Sequence, residues 1–136
     1  MDDPAPARVI AKAGWVHVVD RRLLCVRSHG KAAFYIPGGK PEAGEDLAAA
    51  LRREIVEELG VRLADPLVPA GEVAAPADGA ANAIVTITLF SAPPLGTPAP
   101  AGEIAELRWR APADAGLTSA ATALVLKQLK DDHVID

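Results

Sequence analysis

GKPEAGEDLAAALRREIVEELGV, residues 39–61, is the stretch of sequence that decides how this chain folds. It predicts a helix over residues 46–59, because every residue between these positions tolerates a helix and several favour one. Asp46 has the side chain of a good N-cap, and Gly60 suits the left-handed backbone that ends many helices. Apolar side chains recur at every fourth position and predict one buried face: Leu47, Leu51, Ile55 and Leu59.

The opposite face of this helix is acidic. At about 100° per residue, Glu54, Glu57 and Glu58 fall within an arc of roughly 100°. Like charges at this spacing destabilise a helix by about 0.2–0.5 kcal/mol per pair, which suggests a compensating positive charge. Arg53 offsets part of the charge, and a divalent cation such as Mg²⁺, which prefers oxygen ligands and phosphates, would offset more. Taken alone, the three glutamates are better explained by a solvated acidic face.

The spacing of the whole stretch is more specific than its acidic face. It follows the pattern G-x5-E-x7-R-E-U-x-E-E-x-G-U, where U is a bulky aliphatic residue, without a departure. The fixed positions are Gly39, Glu45, Arg53, Glu54, Ile55, Glu57, Glu58, Gly60 and Val61. This is the Nudix box, and the chain resembles the Nudix hydrolases. The resemblance implies an α/β/α sandwich, with a mixed sheet between helices; pattern alone indicates only an α/β or α+β domain.

The resemblance also implies how the box would work as a metal-dependent diphosphate hydrolase. Glu57 and Glu58 would be the main ligands of Mg²⁺, or of Mn²⁺ in its place. Glu54 would be a further ligand or the general base. In the family, the carbonyl oxygen at the position of Gly39 often binds the metal as well. Arg53 would orient the glutamates through salt bridges.

Two further roles follow from the family pattern. Glu45 would support the cluster through Arg53. Nudix enzymes differ in their general base: some use a box glutamate, here Glu54, and others a glutamate from a later loop. Glu103 and Glu106 lie where that later residue would come, and for both a solvated loop acid is an equally good explanation.

The substrate is less well defined than the reaction. Arg27, Lys31 and Lys40 are candidates for phosphate binding, although each alone is better explained as a surface cation. Of Phe34 and Tyr35, one is expected in the core and the other is a candidate for stacking on a base.

The short chain resembles the Nudix enzymes that hydrolyse nucleoside triphosphates to the monophosphate and diphosphate. ADP-ribose or a nucleotide sugar is the alternative substrate, with Pro76 as weak support.

Length and composition are consistent with one small enzyme domain. At 136 residues the chain predicts a single domain, residues 1–136, with residues 1–6 as a flexible tail. Its net charge of −4 and lack of a basic run argue against an extended nucleic-acid surface. No apolar run is long enough for a membrane span, and no leader pattern is recognisable, so a cytoplasmic protein is expected. Cys25 is expected in the core, and both a monomer and a homodimer stay open.

The rest of the chain predicts mostly strands. Residues 8–19 and 23–27 are expected to form a hairpin, and residues 92–102 a long irregular loop. A shorter loop is expected over residues 75–81. Further strands are predicted over residues 67–74, 82–91 and 103–110, followed by a C-terminal helix over residues 117–129, capped by Thr118 or Ser119.

Two functions of other classes remain open on the sequence. One is a Nudix-fold module that senses a nucleotide without cleaving it, against which the intact box argues. The other is an interaction domain in which the acidic face is structural. Metal-dependent turnover separates the enzyme from both.

Overall fold

The computed structural model describes residues 8–77 and 82–136 of the chain. The predicted tail, residues 1–6, and most of the predicted loop 75–81 lie outside the described residues. The elements, in chain order, are β1 Arg8–Trp15, β2 Val18–Val19, β3 Arg22–Ser28, β4 Gly38–Gly39, α1 Leu47–Leu59, β5 Arg62–Leu63, β6 Val68–Pro76, β7 Ala83–Ser91, β8 Pro94–Leu95, β9 Ile104–Arg110, a 3₁₀ helix Pro112–Leu117 and α2 Ala120–Asp131.

The strands form three sheets, the largest of them mixed, and the helices pack on both sides, so the predicted fold class is confirmed. The larger sheet has the order β4-β1-β7-β6, in which β1 is parallel to β7 and antiparallel to β4. A second sheet has the order β2-β3-β9, and β5 pairs with β8. No helix within the described ranges is long and apolar enough to cross a membrane.

Two hydrophobic cores lie on opposite sides of the strands, and β3 contributes to both. Leu23 and Cys25 belong to the core that contains α2, whereas Leu24 and Val26 belong to the core that contains α1. Successive strand residues point to opposite faces, and both faces here are covered, which explains the uninterrupted apolar run. Cys25 is fully buried, as predicted, and burial raises the pKa of its thiol to about 12.

The helix of the box begins and ends where the sequence predicts. Asp46 Oδ1 accepts a 2.7 Å hydrogen bond from the Ala49 N–H, and Gly60 adopts a φ of 69°. Leu51 and Ile55 have no exposed surface, and burying each such side chain contributes about 1.5–3 kcal/mol. The apolar stripe therefore fixes α1 against the sheet and leaves its acidic residues toward β4.

The prediction that the N-terminal strand forms a hairpin with the next strand is wrong for most of its length. The strand expected over residues 8–19 divides, and its first part, β1, pairs with β7 and β4 instead of β3. The short β2 makes the hairpin with β3, across a turn in which Asp20 and Arg21 have φ of 52° and 63°. A parallel pairing with a strand about 75 residues away leaves no local sequence signal.

Two predicted loops are also partly strand. Residues 94–95, within the predicted loop 92–102, form β8. Ala75 and Pro76 belong to the end of β6. The C-terminal helix starts at Ala120, and Ser119, one of the two predicted caps, accepts a hydrogen bond from the Thr122 N–H.

Candidate active site

The acidic face of α1 packs against the two glycines of β4. The Gly38 N–H donates to Glu58 Oε2 at 3.3 Å. A Cβ added to Gly39 would lie 2.6 Å from Glu54 Cδ, so only glycine allows this close approach of strand and carboxylate. The glycine pair thus brings backbone groups into contact with two of the three glutamates predicted to bind the metal.

Arg53 is the centre of an ion-pair network on α1. Its Nε and Nη2 bind the two carboxylate oxygens of Glu45 at 2.8 and 3.0 Å, which is the strong bidentate geometry. Its Nη1 donates to Glu54 Oε1 at 3.1 Å and to Glu57 Oε2 at 3.3 Å. Nη2 also donates to the Lys40 carbonyl oxygen at 3.1 Å. Arg53 therefore joins the start of the box to its glutamates.

The Glu45 carboxyl should titrate far below an ordinary glutamate. The hydrogen bonds from Arg53, and that from the Glu42 N–H, lower the pKa of Glu45 to about 2. Because the folded-state pKa is depressed, this pair stabilises the fold fully above the unfolded pKa, about 4.3. That contribution is lost as the pH falls from about 4 to 2. Carboxyl NMR titration should give the low value, and Arg53→Ala should return the pKa toward 4; a pKa near 4 in the unmodified chain would contradict the pairing.

Glu58 is the most unusual carboxylate of the cluster. Its exposed fraction is 3%, and its Oε1 has no hydrogen-bond partner among the described residues. Burial, followed by the adjacent Glu54 carboxyl group, raises the pKa of Glu58 well above its ordinary value. A buried polar atom without a partner is costly and calls for a missing partner. Glu57, by contrast, is 57% exposed at its side chain.

The donor set fits a hard divalent cation, although the side chains do not form a finished site. Among residues 8–77 and 82–136, no three His, Cys, Asp or Glu side chains have the arrangement of a metal site. Glu57 faces Arg53 instead of its neighbouring glutamates. The unpartnered Oε1 of Glu58, the adjacent Glu54 and the glycine backbone of β4 nevertheless supply oxygen ligands of the kind that Mg²⁺ prefers.

A cavity of about 560 Å³ opens beside this cluster. Its polar lining includes Ser28, Lys31, Tyr35, Lys40, Glu54 and Glu103. Apolar side chains of β1 and β7 also line it: Ile10, Val85 and Ile87. The volume is typical of a site for a small organic ligand, and a lining of both charged and apolar side chains suits an amphiphilic one.

Two residues predicted for the site pair with each other and do not line this cavity. Arg27 Nε donates to Glu106 Oε1 at 2.8 Å, and Arg108 donates to the other oxygen at 2.9 Å. These two bonds hold the pKa of Glu106 below its usual value. Arg27 Nη1 also donates to the Lys31 carbonyl oxygen at 2.9 Å. Arg27 thus holds the loop that carries a cavity-lining lysine.

The two adjacent aromatic residues divide as expected. Phe34 is buried in the core, with the Arg110 guanidinium 3.9 Å from its ring centroid. Tyr35 is half-buried and lines the cavity. Among the other predicted residues, Lys31, Lys40 and Glu103 also line the cavity.

Sequence reasoning missed Lys12 and Ser28, which line the cavity as well. Lys12 lies on β1 two residues from Ile10, so alternation along β1 places both side chains on one face of the strand. A lysine in the apolar N-terminal strand was therefore a usable signal. No motif marks Ser28, which reaches the cavity only because β3 ends beside Tyr35.

Comparison with known proteins identifies the fold and the family. The family model described as NUDIX domain matches residues 9–130. A search of curated proteins found no match. Among solved structures, a MutT NUDIX hydrolase from Burkholderia pseudomallei is 27% identical, with a TM-score of 0.73, over 90% of this chain and 98% of that chain.

Two more distant structures share the fold. A UDP-X diphosphatase is 21% identical, with a TM-score of 0.66, over 98% of this chain and 66% of that chain. A bifunctional NMN adenylyltransferase/ADP ribose pyrophosphatase from Francisella tularensis is 19% identical, with a TM-score of 0.67, over 96% of this chain and 42% of that chain. Since the family model spans nearly the whole chain, including both glycines of β4 and the acidic face of α1, the protein belongs to the Nudix family of hydrolases.

Proposed function

We propose that the protein uses Mg²⁺ to hydrolyse a diphosphate bond in a nucleoside triphosphate or a related nucleotide, which yields the monophosphate and diphosphate. The observation that carries this proposal is the buried, unpartnered Oε1 of Glu58. Glu58 lies next to Glu54, and its other oxygen, Oε2, accepts a hydrogen bond from the Gly38 N–H. Glu54 and Gly38 both line a cavity large enough for a nucleotide.

Glu54, Glu57, Glu58 and the carbonyl oxygen of Gly39 are the groups proposed to hold the metal. When bound, the metal neutralises phosphoryl oxygens and lowers the pKa of a water molecule. For Glu57 to take part, its carboxylate has to leave Arg53, and because this ion pair is exposed on the side of Glu57, the separation costs little.

The cations of the site have separate tasks in this proposal. Arg53 keeps Glu54 in place while its bidentate contact with Glu45 holds the guanidinium itself. Lys31 and Lys40 line the cavity, and neither forms an ion pair within residues 8–77 and 82–136. Their ammonium groups are therefore free to bind the phosphates of the substrate.

We assign the general base to Glu103. It lines the cavity, and the His29 N–H fixes its backbone by donating to its carbonyl oxygen at 2.9 Å. Its carboxylate has no ion-pair partner among the described residues, whereas Arg53 occupies Glu54 Oε1. Glu103 is thus the better group to accept a proton from the attacking water.

Glu103→Gln should lower kcat by about 100-fold or more, since a general base contributes about 10²–10⁴. The affinity for the metal should change little. Glu54→Gln should weaken metal binding as well as turnover. Steady-state kinetics and metal titration of both variants distinguish the roles, with Glu72→Gln, an exposed change on β6, as the control. If Glu103→Gln kept the kcat of the wild-type protein, Glu103 would not be the general base, and Glu54 would be the remaining candidate.

The proposed reaction is tested by a product-resolved screen. The panel is dNTPs, oxidised dNTPs, ADP-ribose, nucleotide sugars, dinucleoside polyphosphates and coenzyme A, each with Mg²⁺, Mn²⁺ or EDTA. EDTA-sensitive conversion of a triphosphate to the monophosphate and diphosphate is the expected result. Preferred cleavage of ADP-ribose or a nucleotide sugar would show that the proposed triphosphate is not the substrate. A folded but inactive protein would favour a nucleotide-sensing module.

A further inference from the structure

Tyr35 is the one tyrosine in the sequence, and it is fixed beside the acidic cluster. Its backbone exchanges two 2.9 Å hydrogen bonds with Val26 of β3, so the residue is attached to the sheet as an isolated bridge. Its hydroxyl lies 2.5 Å from Ser28 Oγ, and both residues line the cavity. Two hydroxyl groups are therefore held together in the wall of the cavity.

Ser28 is itself held from several sides. The Lys31 N–H donates to its carbonyl oxygen at 3.1 Å, which closes a tight turn after β3. The next residue, His29, donates its N–H to the Glu103 carbonyl oxygen at 2.9 Å. The Ser28–Tyr35 pair and the proposed base consequently belong to one hydrogen-bonded unit of the cavity wall.

The surroundings of Tyr35 favour a neutral hydroxyl group. Burial is the main cause that raises its pKa above the ordinary value, the hydrogen bond with Ser28 opposes this, and the charges of Glu58, Glu103 and Glu54 add to the increase. A phosphate oxygen that enters among these carboxylates meets repulsion. A neutral O–H donor relieves part of it without adding an ionised group that would have to be desolvated.

We propose that Tyr35 contacts the substrate directly: its hydroxyl accepts a hydrogen bond from Ser28 Oγ and donates one to a non-bridging phosphate oxygen. Ser28 is then a positioning residue, because it occupies the acceptor side of the phenol and leaves the phenolic hydrogen for the substrate. The proposal rests on the proposed function, since it supplies the phosphate that the hydroxyl binds.

The single tyrosine allows the contact to be observed without turnover. Protein labelled with ¹³C at tyrosine Cζ should give one resonance. Saturating methylenediphosphonate with Mg²⁺, a diphosphate that cannot be hydrolysed, should shift this resonance, and Mg²⁺ alone should shift it much less. Tyr35→Phe should bind the same probe about tenfold more weakly in calorimetry. An unchanged resonance at saturation would overturn the contact.

Kinetics provide the second test. Tyr35→Phe keeps the ring and should lower kcat/KM by about 10- to 100-fold, the loss for one hydrogen bond to a charged group, with an unfolding midpoint lowered only by the loss of the hydrogen bond to Ser28. Ser28→Ala should lower kcat/KM by less. In the Tyr35→Phe background it should lower kcat/KM little further, because Ser28 acts through the Tyr35 hydroxyl. Additive losses of the two variants would overturn the positioning role of Ser28.

The two proposals fail in different ways. If the labelled wild-type protein shows the shift but hydrolyses no nucleotide of the panel, the proposed function is wrong and the contact stands. If the wild-type protein is active and Tyr35→Phe equals it in kcat/KM, the contact is wrong and the proposed function stands.

Discussion

Glu58→Gln is expected to lower turnover by at least about 100-fold without loss of stability. The variant replaces a proposed metal ligand, and a bound metal contributes several kcal/mol of charge stabilisation, with tenfold in rate for each 1.36 kcal/mol. In the metal-free protein, however, the carboxylate is buried next to Glu54 with one oxygen unpartnered. A neutral side chain of the same shape removes that penalty.

The stability difference should depend on pH in a defined direction. Because the folded-state pKa of Glu58 is raised, the carboxyl destabilises the fold increasingly as the pH rises above its unfolded value, about 4.3. Thermal unfolding in EDTA should therefore show Glu58→Gln more stable than wild type at pH 8, and the two equal near pH 4. Equal turnover of Glu58→Gln and wild type would refute the proposed ligand role.

Glu57→Gln is the matched comparison on the same helix. It should also reduce turnover, but it should bring no gain in stability, because Glu57 is largely exposed and pairs with Arg53 at 3.3 Å. A stability gain of the same size in both variants would mean that general charge repulsion along α1, not the burial of Glu58, is responsible.

The parts of the site that the sequence predicts are those held within α1 and the turn directly before it. Asp46 and Gly60 set the ends of α1, and the spacing of Glu54 and Glu58 sets their shared face, because helix geometry is local. The bidentate contact of Arg53 with Glu45 likewise spans only eight residues. Such contacts follow from spacing, so pattern and family resemblance describe them well.

The parts of the site that the sequence does not predict depend on which strands become neighbours in the sheets. Arg27 pairs with Glu106 across the β3–β9 register, 79 residues apart, and this turns two candidates for the site into a pair that supports its wall. Lys12 faces the cavity only because β1 lies between β4 and β7. Cross-strand partners are fixed by the packing of both cores, and no single segment encodes them.

Substitutions of the two adjacent glycines of β4 should have different effects, one on stability and the other on catalysis. A Cβ added to Gly38 would lie 2.0 Å from the Ala13 carbonyl oxygen, in a backbone with φ of 145°. Neither a main-chain carbonyl in the centre of the sheet nor this conformation can adapt cheaply. Gly38→Ala should therefore destabilise the fold by about 2–6 kcal/mol, the sum expected for overpacking and backbone strain.

Gly39→Ala should instead damage catalysis. The added Cβ meets Glu54 Cδ and Oε1, both at 2.6 Å, and these atoms end a flexible side chain that is able to move. The fold should survive, but Glu54 would leave its place beside Glu58, and a displacement of about 1 Å at a reacting centre can cost about 100-fold in rate. We expect a loss of that order in kcat/KM, together with weaker metal binding.

Thermal unfolding and kinetics of both variants, with Gly116→Ala as the control, test this division. A Cβ at Gly116 meets nothing within 4 Å, so that change should leave both measurements near wild type. Midpoints lowered equally by Gly38→Ala and Gly39→Ala would show that β4 acts only as structure. Full activity of Gly39→Ala would show that the contact between Gly39 and Glu54 has no part in the reaction. A stable but inactive Gly39→Ala protein would show that the reaction requires the close approach of β4 to α1.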